Sequence, residues 1–501
     1  MSEQITVYKH DDVYFRISAE RGILNEISDY FMFKVPGYRF NPKFRNKMWD
    51  GNIRLFNMWT GELYVGLHDR LEKFAKDRGY DFVTELSVTE TVTLEQTKEY
   101  INSLQLTGSD GNALEAYDYQ ISSIHKMLNE RTLLVSPTSS GKSLIIYVVC
   151  RWLIDHGLHH KILLLVPTIQ LVQQMASDFK EYSQKNNWDV DSFVHQVYTG
   201  KEKVSNKKIT VSTWQSQYKF PKDYFKQFGC LIVDEAHLAT ANSLKGIAEK
   251  MTVCKYKFGL TGTLSESKTH KYVLEGMFGP VYTIVTTKQL MQSKRAANLE
   301  IYCVVIKYPK SDRKAVKGML YKDEVEFLIS HAKRYKIIRD LALRVSGNSL
   351  LLFNRVEKHG IPLFKVIKTK NKEKTLHLIH GKVDGELREE IRKTIETEDN
   401  ALLLASYGTL STGTNIRKLF NIIFSEPYKS RIKVLQSIGR GLRTYGTDKT
   451  VKLFDIVDDL SYTTRQGTQK HNHVFKHFLE RVKYYSEEGF KVKIITLDIE
   501  G

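Results

Sequence analysis

The segment from Ser136 to Ser143, SPTSSGKS, has the residue types and spacing of a phosphate-binding loop. Gly141, Lys142 and Ser143 fit the end of the pattern G-x-x-x-x-G-K-[ST], whereas Ser136 stands at its first glycine. In such a loop, backbone N–H groups hold phosphates, the lysine neutralises the β- and γ-phosphates, and the last hydroxyl binds Mg²⁺. A serine-rich turn that only caps a helix would look similar. The candidate nucleotide-binding residues are Pro137, Thr138, Ser139, Ser140, Gly141, Lys142 and Ser143.

A second candidate set is the tetrapeptide Asp234-Glu235-Ala236-His237, which directly follows the apolar residues CLIV. Carboxylates at the end of a buried strand can hold Mg²⁺ and activate a water molecule for attack on a phosphate. We assign Asp234 to the metal ion, Glu235 to the water, and His237 to a hydrogen bond across the nucleotide cleft. One carboxylate at an exposed strand end is common without function, but this tetrapeptide downstream of a phosphate-binding loop favours a nucleotide site.

The phosphate-binding loop and the Asp234–His237 tetrapeptide depend on the surrounding strands and helices for their positions. Short apolar runs alternate with amphipathic segments in this part of the chain. From about Ala113 the runs TLLVSP, KILLLVP, ITVS and CLIVDEAH are continuously apolar, which is typical of parallel strands covered by helices on both faces. The pattern starts again after about Asn298, in SLLLFN, LHLIHG, ALLLAS, NIIFSE and VKLFDIVD. The sequence therefore predicts an α/β fold with two parallel-sheet domains of similar type.

Changes in composition divide the chain into five predicted parts. Residues 1–92 are predicted to form a small basic α+β domain, because short β-type runs surround a segment punctuated by Gly, Pro and Asn. A linker is predicted at residues 93–112. The two α/β domains follow at residues 113–297 and 298–460, and a short helical segment at residues 461–501 ends the chain.

Basic and aromatic residues alternate in the segment between Gly37 and Phe56. Basic residues suit phosphates and aromatic rings can stack on exposed bases, although the rings could equally form the core of a small domain. The candidate nucleic-acid contacts in this segment are Lys43, Arg45, Lys47 and Trp49.

The chain as a whole is basic, with 75 Lys and Arg against 57 Asp and Glu in 501 residues, a formal net charge of +18. This charge favours a polyanionic partner, although many basic proteins bind no nucleic acid. A hydrophobic fraction of 42% supports sizeable cores and argues against a disordered basic tail.

The four cysteines form no C-x-x-C pair, and the first residues do not resemble a signal peptide. The longest apolar run is too short to span a bilayer. We therefore expect a cytoplasmic protein with reduced thiols and no membrane partner.

Over residues 113–460 the chain resembles the DEAH-box helicases of superfamily two, with every element in the order of that family. The resemblance implies two RecA-like motor domains and an ATPase that uses ATP and Mg²⁺ to move along nucleic acid. It assigns Gln120, within YDYQISSIHKML, to the adenine base, and FGLTGT to the coupling of hydrolysis to DNA binding. The segments LLLVPTIQLVQQ and ITVSTWQS resemble elements that contact the nucleic-acid backbone. The contacts implied by these two segments are Pro167, Thr168, Gln174 and Thr213.

Three segments of the second half, LLLFNRVEKHG, ASYGTLSTGTNI and QSIGRGLR, resemble the remaining motifs of the family. The resemblance implies DNA contacts by Arg355, Thr409 and Thr414, a nucleotide contact by Gly413, and catalytic roles for Gln436, Arg440 and Arg443. The last two arginines are three residues apart and would share one face of a helix. Opposite a γ-phosphate, arginines of this kind are worth about 10³–10⁵ in rate. A basic helix that only faces solvent is the competing interpretation.

Two positions depart from the pattern of the family. Ser136 replaces the usual Gly or Ala, which is tolerated if the backbone at that position needs no positive φ. Asn415 stands where many relatives carry Asp, so a charge near the ribose or the coupling network is missing. The second departure leaves the nucleotide preference and the coupling open, but not the activity.

The combination of a small basic domain, two motor domains and a C-terminal helix resembles the recombination helicases of T-even phages. This resemblance implies a monomeric ATP-dependent DNA helicase of the host cytoplasm that remodels forks, Holliday junctions and R-loops in recombination, repair and replication restart. Single-strand-binding and recombination proteins are its candidate partners. Three alternatives stay open: a double-strand translocase without strand separation, an RNA helicase, and a nucleic-acid clamp with a vestigial ATP site. The presence of every expected catalytic residue type argues against the clamp.

Overall fold

A computed structural model gives the fold of the chain in two compact units, the first comprising residues 1–136 and 140–284 and the second consisting mainly of residues 285–501. The structure describes residues 3–85, 91–108, 111–137, 140–157, 159–198, 202, 204–240, 242–264, 268–294, 296–410, 416, 418–426, 450–464 and 466–499.

The first unit begins with a small α+β domain. Its elements are β1 (Gln4–Lys9), β2 (Tyr14–Ser18), α1 (Arg21–Tyr30), β3 (Met32–Lys34), α2 (Pro42–Arg45), β4 (Asn52–Arg54), β5 (Glu62–Tyr64), α3 (His68–Arg78) and β6 (Asp81–Thr84). Four strands form a mixed sheet in the order β5–β2–β1–β6, in which β1 pairs antiparallel with β2 and parallel with β6. In β2, Phe15 and Ile17 are buried while Arg16 and Ser18 are exposed, so one face of the sheet packs on the core.

The rest of the first unit is an α/β domain. Its elements are α4 (Leu94–Ser103), α5 (Asp118–Asn129), β7 (Thr132–Val135), α6 (Lys142–Asp155), β8 (Lys161–Val166), α7 (Ile169–Tyr182), α8 (Val190–Phe193), β9 (Val194–Val197), β10 (Ile209–Thr213), α9 (Trp214–Gln217), α10 (Lys222–Phe225), β11 (Phe228–Asp234), α11 (Asn242–Lys250), β12 (Tyr256–Thr261), α12 (Lys268–Phe278) and β13 (Val281–Thr283). Seven parallel strands lie in the order β13–β7–β12–β11–β8–β10–β9. Every residue of β11 is buried, as continuous apolar runs predict for a strand covered on both faces.

The α+β domain and this α/β domain share one hydrophobic core. The short 3-10 helix Val65–Leu67 packs on α12, where Gly66 approaches so closely that a Cβ would overlap the backbone of Glu275 and Gly276. Beside it, Arg70 makes a bidentate contact with the carboxylate of Glu275, and its Nη1 donates a hydrogen bond to the hydroxyl of Tyr272 at 2.9 Å. The α+β domain is therefore a fixed part of the first unit.

The second unit is another α/β domain. Its elements are α13 (Thr287–Gln292), β14 (Asn298–Lys307), α14 (Lys310–Val316), α15 (Tyr321–Ser330), α16 (Ala332–Arg344), β15 (Ser349–Phe353), α17 (Ile361–Lys370), β16 (Thr375–Ile379), α18 (Gly385–Thr397), β17 (Ala401–Ser406), α19 (Tyr407–Leu410), β18 (Asn421–Phe424), β19 (Thr450–Asp459), β20 (Tyr462–Thr463), β21 (Gln469–Lys470), α20 (His473–Glu487) and β22 (Lys491–Asp498). Seven parallel strands lie in the order β16–β17–β15–β18–β19–β14–β22. The predicted fold class, two parallel-sheet α/β domains with a small α+β domain before them, is confirmed.

The C-terminal segment contains the predicted helix, α20, and also three strands that the sequence analysis does not anticipate: the short pair β20 and β21, and the longer β22. β22 pairs with β14 over eight residues at the edge of the second sheet. Most of its side chains are exposed, so its sequence lacks the continuous apolar run that marks the inner strands.

Two buried polar contacts anchor α20 within the second unit, one to α15 and one to the sheet. The carboxylate of Glu324 accepts hydrogen bonds from the N–H groups of His473 and Val474, at 2.9 and 2.8 Å, in the first turn of α20. Further along α20, Arg481 donates to both carboxylate oxygens of Asp455 in β19 at 2.8 and 2.9 Å. Because removing one partner of a buried pair costs about 3–5 kcal/mol, the C-terminal helix is integral to the second unit.

The four cysteines, Cys150, Cys230, Cys254 and Cys303, are all buried and unpaired, as the sequence analysis expects. Burial raises the pKa of the Cys254 thiol to about 11, so the neutral thiol is the stable form. None of the helices in the described part of the chain combines the length and the hydrophobicity of a membrane span.

Candidate nucleotide site and nucleic-acid contacts

The predicted phosphate-binding loop connects β7 to α6. Because α6 begins at Lys142, the free N–H groups and the positive dipole end of that helix adjoin the loop. Gly141 precedes the helix with φ +79°, which favours glycine, and a Cβ there would overlap the side-chain amide nitrogen of Gln120. Pro137 is partly buried, and Thr138 and Ser139 lie outside the described residues.

Ser136 holds the start of the loop through three contacts. Its N–H donates to the carbonyl of Thr261 at 2.9 Å, its hydroxyl bonds to that of Ser140, and its own carbonyl accepts from Lys142 Nζ at 3.1 Å. Ser136 is not among the described residues with positive φ. The condition for tolerating serine in place of glycine is therefore met.

Gln120 is buried against the same loop. Its Nε2 donates to the carbonyl of Ser140 at 3.0 Å, and its Oε1 accepts from the N–H of Tyr117 at 2.9 Å. The hydroxyl of Tyr119 donates to the same carbonyl of Ser140 at 3.1 Å. Gln120 thus supports the loop, and its contact with an adenine base, which stays a prediction, would replace one of these bonds.

Asp234 and Glu235 lie at the carboxyl end of β11, at the same edge of the sheet as the loop. Burial and the neighbouring charge of Glu235 raise the pKa of Asp234 to about 6, while the positive charge of Lys142 opposes this shift. The N–H of Glu235 donates to Asp234 Oδ1 at 3.0 Å, and Glu235 itself adopts φ +56°. Such a conformation is costly for a residue other than glycine and is typical of functional sites.

His237 connects this strand end to the next one. Its Nδ1 lies 3.0 Å from Thr261 Oγ1 and 3.3 Å from a carboxylate oxygen of Glu235. Since the hydroxyl of Thr261 donates to the carbonyl of Thr263 at 2.9 Å, the proton between His237 and Thr261 resides on Nδ1. This hydrogen bond of His237 is made to the FGLTGT segment within the first unit, and the predicted hydrogen bond across the nucleotide cleft stays a prediction.

One partner of the site, Tyr182, was not found from the sequence, whereas Thr261 belongs to the FGLTGT segment that the resemblance assigns to the coupling of hydrolysis to DNA binding. Thr261 joins both candidate sets, because its carbonyl accepts from Ser136 while its hydroxyl lies against His237. The hydroxyl of Tyr182, at the end of α7, lies 2.9 Å from the hydroxyl of Ser143, the predicted Mg²⁺ ligand. The position of Thr261 after an apolar strand was a usable signal, whereas Tyr182 ends an ordinary amphipathic helix.

Three of the four predicted backbone-contact residues of the first unit, Pro167, Thr168 and Thr213, lie at the carboxyl ends of the adjacent strands β8 and β10. Thr168 caps α7, with its hydroxyl oxygen accepting from the N–H of Leu171 at 3.4 Å. Thr213 is buried and its hydroxyl lies 3.0 Å from that of Ser216. Pro167 and Gln174 are partly buried. The topology brings Pro167, Thr168 and Thr213 to one edge, while Gln174 lies in the second turn of α7. The contact of all four residues with nucleic acid stays a prediction.

In the second unit, the guanidinium of Arg355 donates to the buried carboxylate of Glu426 at 2.7 Å. Glu426 also accepts from the N–H groups of Asn354 and Arg355 and lies 3.2 Å from His359 Nδ1. Burial raises the pKa of Glu426, but these hydrogen bonds and the adjacent His359 outweigh it and bring that pKa to about 2. Glu426 follows the apolar strand β18, so the signal that identified Asp234 could have found it.

The other predicted residues of the second half divide into two groups. Thr409 is buried, with its hydroxyl 2.6 Å from that of Ser406. The remaining residues lie outside the described part of the chain, and their roles stay predictions: Gly413, Thr414, Asn415, Gln436, Arg440 and Arg443.

The basic and aromatic segment of the α+β domain forms a concave surface of about 670 Å³ around Trp49. Arg45 and Lys47 line this surface and are exposed, as is Lys43 in the same short helix, α2, as Arg45. The indole N–H of Trp49 donates to the carbonyl of Asn52 at 2.7 Å. Of the aromatic residues, Phe56 belongs to the core, whereas Phe40 is 78% exposed. The segment is therefore only partly explained by a structural role, and its surface suits a polyanion.

Comparison with known proteins places this architecture in a family. Residues 113–266 match the family model described as type III restriction enzyme, res subunit, and residues 4–85 match the model described as DNA helicase UvsW, N-terminal. The chain is 32% identical to the ATP-dependent DNA helicase uvsW of Enterobacteria phage T4 over 510 residues, which cover 99% of this chain and 100% of that protein. The chain belongs to the UvsW family of helicases.

Solved structures agree with membership of the UvsW family. The crystal structure of T4 UvsW matches with a TM-score of 0.53 and 31% identity, covering 99% of both chains. S. cerevisiae Dbp5 bound to RNA and ADP–BeF3 matches with a TM-score of 0.52, covering 82% of this chain and 94% of that one. At 11% identity, the second likeness shows the fold alone. The predicted resemblance to superfamily-two helicases is confirmed.

Proposed function

We propose that this protein is a monomeric ATP-dependent DNA helicase that remodels forks, Holliday junctions and R-loops in recombination, repair and replication restart. The observation that carries the proposal is the similarity to the T4 DNA helicase over 99% of the chain. Because that relative comes from a phage, we place the activity in the cytoplasm of an infected host cell, with single-strand-binding or recombination proteins as candidate partners.

ATP hydrolysis would use residues from three neighbouring strand ends, those of β7, β12 and β11. Lys142 and the N–H groups at the start of α6 would bind the phosphates, and Glu235 would orient and deprotonate the attacking water. The contact between His237 and Thr261 would hold the carboxyl end of β11 in place beside the phosphate-binding loop, which begins at Ser136. This geometry performs positioning and charge stabilisation, which supply most of the catalysis of phosphoryl transfer.

The residues present also fit Mg²⁺. The carboxylate of Asp234 and the hydroxyl of Ser143 are oxygen donors of the kind that Mg²⁺ prefers, and Ser143 would exchange its bond to Tyr182 for this role. The pKa of about 6 for Asp234 reflects a buried carboxylate beside Glu235, an arrangement that a divalent cation would stabilise. When bound, Mg²⁺ would neutralise the charge that develops on the phosphates.

The proposed function predicts that branched DNA stimulates ATP hydrolysis most strongly. We expect higher rates with forked and four-way DNA than with single-stranded DNA, unbranched duplex DNA or duplex RNA at equal nucleotide concentration. Strand displacement from a labelled fork then separates a helicase from a double-strand translocase. Equal stimulation by unbranched duplex without strand displacement would favour the translocase, and stronger stimulation by duplex RNA would favour an RNA helicase.

The concave surface of the α+β domain is proposed to bind DNA phosphates. In a variant with Lys43→Glu, Arg45→Glu and Lys47→Glu, the slope of log Kd against log salt should flatten by about 3, one unit for each lost phosphate contact. The matched control reverses Arg21, Lys73 and Lys76, which are exposed on α1 and α3 of the same domain. If both variants keep the wild-type slope, the surface does not contact DNA.

A further inference from the structure

A second basic concave surface lies on the second unit, at residues that no motif of the family covers. It forms where the end of α14, the β20–β21 hairpin and the first turn of α20 meet, and it has a volume of about 450 Å³. We call it the C-terminal groove. The residues on which the argument depends are Arg313, Lys317, Glu324, Tyr462, Lys470 and Lys476.

The C-terminal groove lies at the carboxyl edge of the second sheet. α14 follows the end of β14, and the β20–β21 hairpin follows the end of β19. The segment with Arg355 follows β15, and Thr409 follows β17, in the same parallel sheet. Because the sheet order is β17–β15–β18–β19–β14, the groove continues the edge that carries the predicted DNA contacts.

The charges of the groove favour an anionic ligand. Among its described lining residues, four are Lys or Arg and only Glu324 is acidic. The carboxylate of Glu324 is buried and accepts hydrogen bonds from the side chain of Asn472 and the N–H groups of His473 and Val474. This acid therefore stabilises the first turn of α20, while Lys317, Lys470 and Lys476 are exposed.

The groove also places an aromatic ring beside its cations. The ammonium of Lys317 lies 5.2 Å from the centroid of the Tyr462 ring. The N–H groups of His473 and Val474, the first two of α20, are bonded to Glu324, so we expect an anion in the groove to contact lysine side chains. Flexible ammonium groups next to an aromatic ring are typical of surfaces that hold a nucleic-acid backbone without reading its sequence.

We propose that the C-terminal groove binds the phosphate backbone of DNA and extends the DNA track of the second sheet beyond the family motifs. The inference rests on the proposed DNA helicase function. It also gives the C-terminal segment a role, because the hairpin and α20 supply one side of the groove. An acidic protein segment would fit the same charge, but the continuity with the edge that carries Arg355 and Thr409 favours DNA.

The test compares two triple charge reversals in the full-length chain. The groove variant carries Lys317→Glu, Lys470→Glu and Lys476→Glu. The control carries Lys370→Glu, Lys452→Glu and Lys491→Glu, three exposed lysines near the opposite edge of the same sheet. The Kd for an oligo-dT strand and for a duplex of equal length is measured over a range of NaCl concentrations.

We expect the groove variant to flatten the slope of log Kd against log salt by about 3 on at least one probe, and the control by less than about 1. The probe that shows the loss identifies the groove as a single-strand or a duplex contact. If the groove variant has a lowered unfolding midpoint, the milder pair Lys317→Gln and Lys476→Gln should flatten the slope by about 2.

Two results distinguish a failure of the C-terminal groove proposal from a failure of the proposed DNA helicase function. A wild-type slope in both groove variants, on both probes, would overturn the C-terminal groove as a DNA site and would favour an acidic protein partner. If the wild-type protein binds neither probe in a salt-dependent way, the proposed function fails before the groove is tested.

Discussion

Glu235→Gln will lower kcat for DNA-stimulated ATP hydrolysis by about 10²–10⁴ while nearly preserving the Kd for ATP. The amide keeps the size of the carboxylate, so the strained backbone at φ +56° and the bond from its N–H to Asp234 are retained. What disappears is the base that would accept the proton of the attacking water. An effect confined to kcat is the signature of an interaction that acts in the transition state.

Steady-state phosphate release and ATP binding, measured on the same preparation, check this expectation. Lys142→Ala serves as the comparison, because losing the phosphate-binding ammonium should weaken ATP binding as well as lower kcat. Glu72→Gln, at an exposed position of α3, is the control for the amide substitution. If Glu235→Gln hydrolyses ATP at the wild-type rate, Glu235 is not the base. DNA binding should be largely intact in both site variants, since the substituted side chains lie at the nucleotide loop.

Gly66→Ala will destabilise the first unit by about 1–3 kcal/mol or more. The added Cβ would overlap the backbone of Glu275 and Gly276 in α12, and backbone atoms of a packed helix cannot rotate away as a side-chain tip can. The α+β domain must then shift on α12, and the contacts of Arg70 with Tyr272 and Glu275 are strained or lost.

Chemical unfolding monitored by tryptophan fluorescence measures this change. Gly246→Ala is the matched control, because Gly246 lies within α11 and a methyl group there would meet no atom of another described element within 4 Å. That control should be neutral or should stabilise by up to about 1 kcal/mol, the difference in helix propensity between Gly and Ala. Equal stabilities of Gly66→Ala and the wild type would contradict the close approach of the two backbones.

The sequence was informative where function and fold depend on neighbouring residues. Continuous apolar runs marked β7, β8, β10 and β11, and the polar residues directly after them marked the carboxyl edge of the first sheet. The loop at Gly141 and the strand end at Asp234 were therefore found together. A parallel sheet brings such strand ends to one edge whatever lies between them in the chain.

Contacts between residues that are far apart in the chain could not be predicted from the sequence. Arg70 and Glu275 are separated by 205 positions, and no local sequence pattern indicates their contact. Tyr182 meets Ser143 because α6 and α7 pack side by side, which depends on the sheet order rather than on spacing. β22 was not predicted because lysine and threonine residues interrupt its apolar residues, so it lacks the continuous apolar run of the inner strands. Its pairing with β14 joins residues that are far apart in the chain.

The docking of the α+β domain on α12 also constrains the order in which the chain folds during synthesis. Strands β1 to β6 are complete by Thr84, so the small sheet can form as soon as this part of the chain has left the ribosome. Its docking surface around Tyr64, Gly66 and Arg70 must then stay uncovered until α12 emerges, nearly the length of a whole domain later. Contacts of such long sequence separation slow folding and leave apolar surface exposed in the meantime. The first unit therefore cannot complete its shared core until α12 has been synthesised.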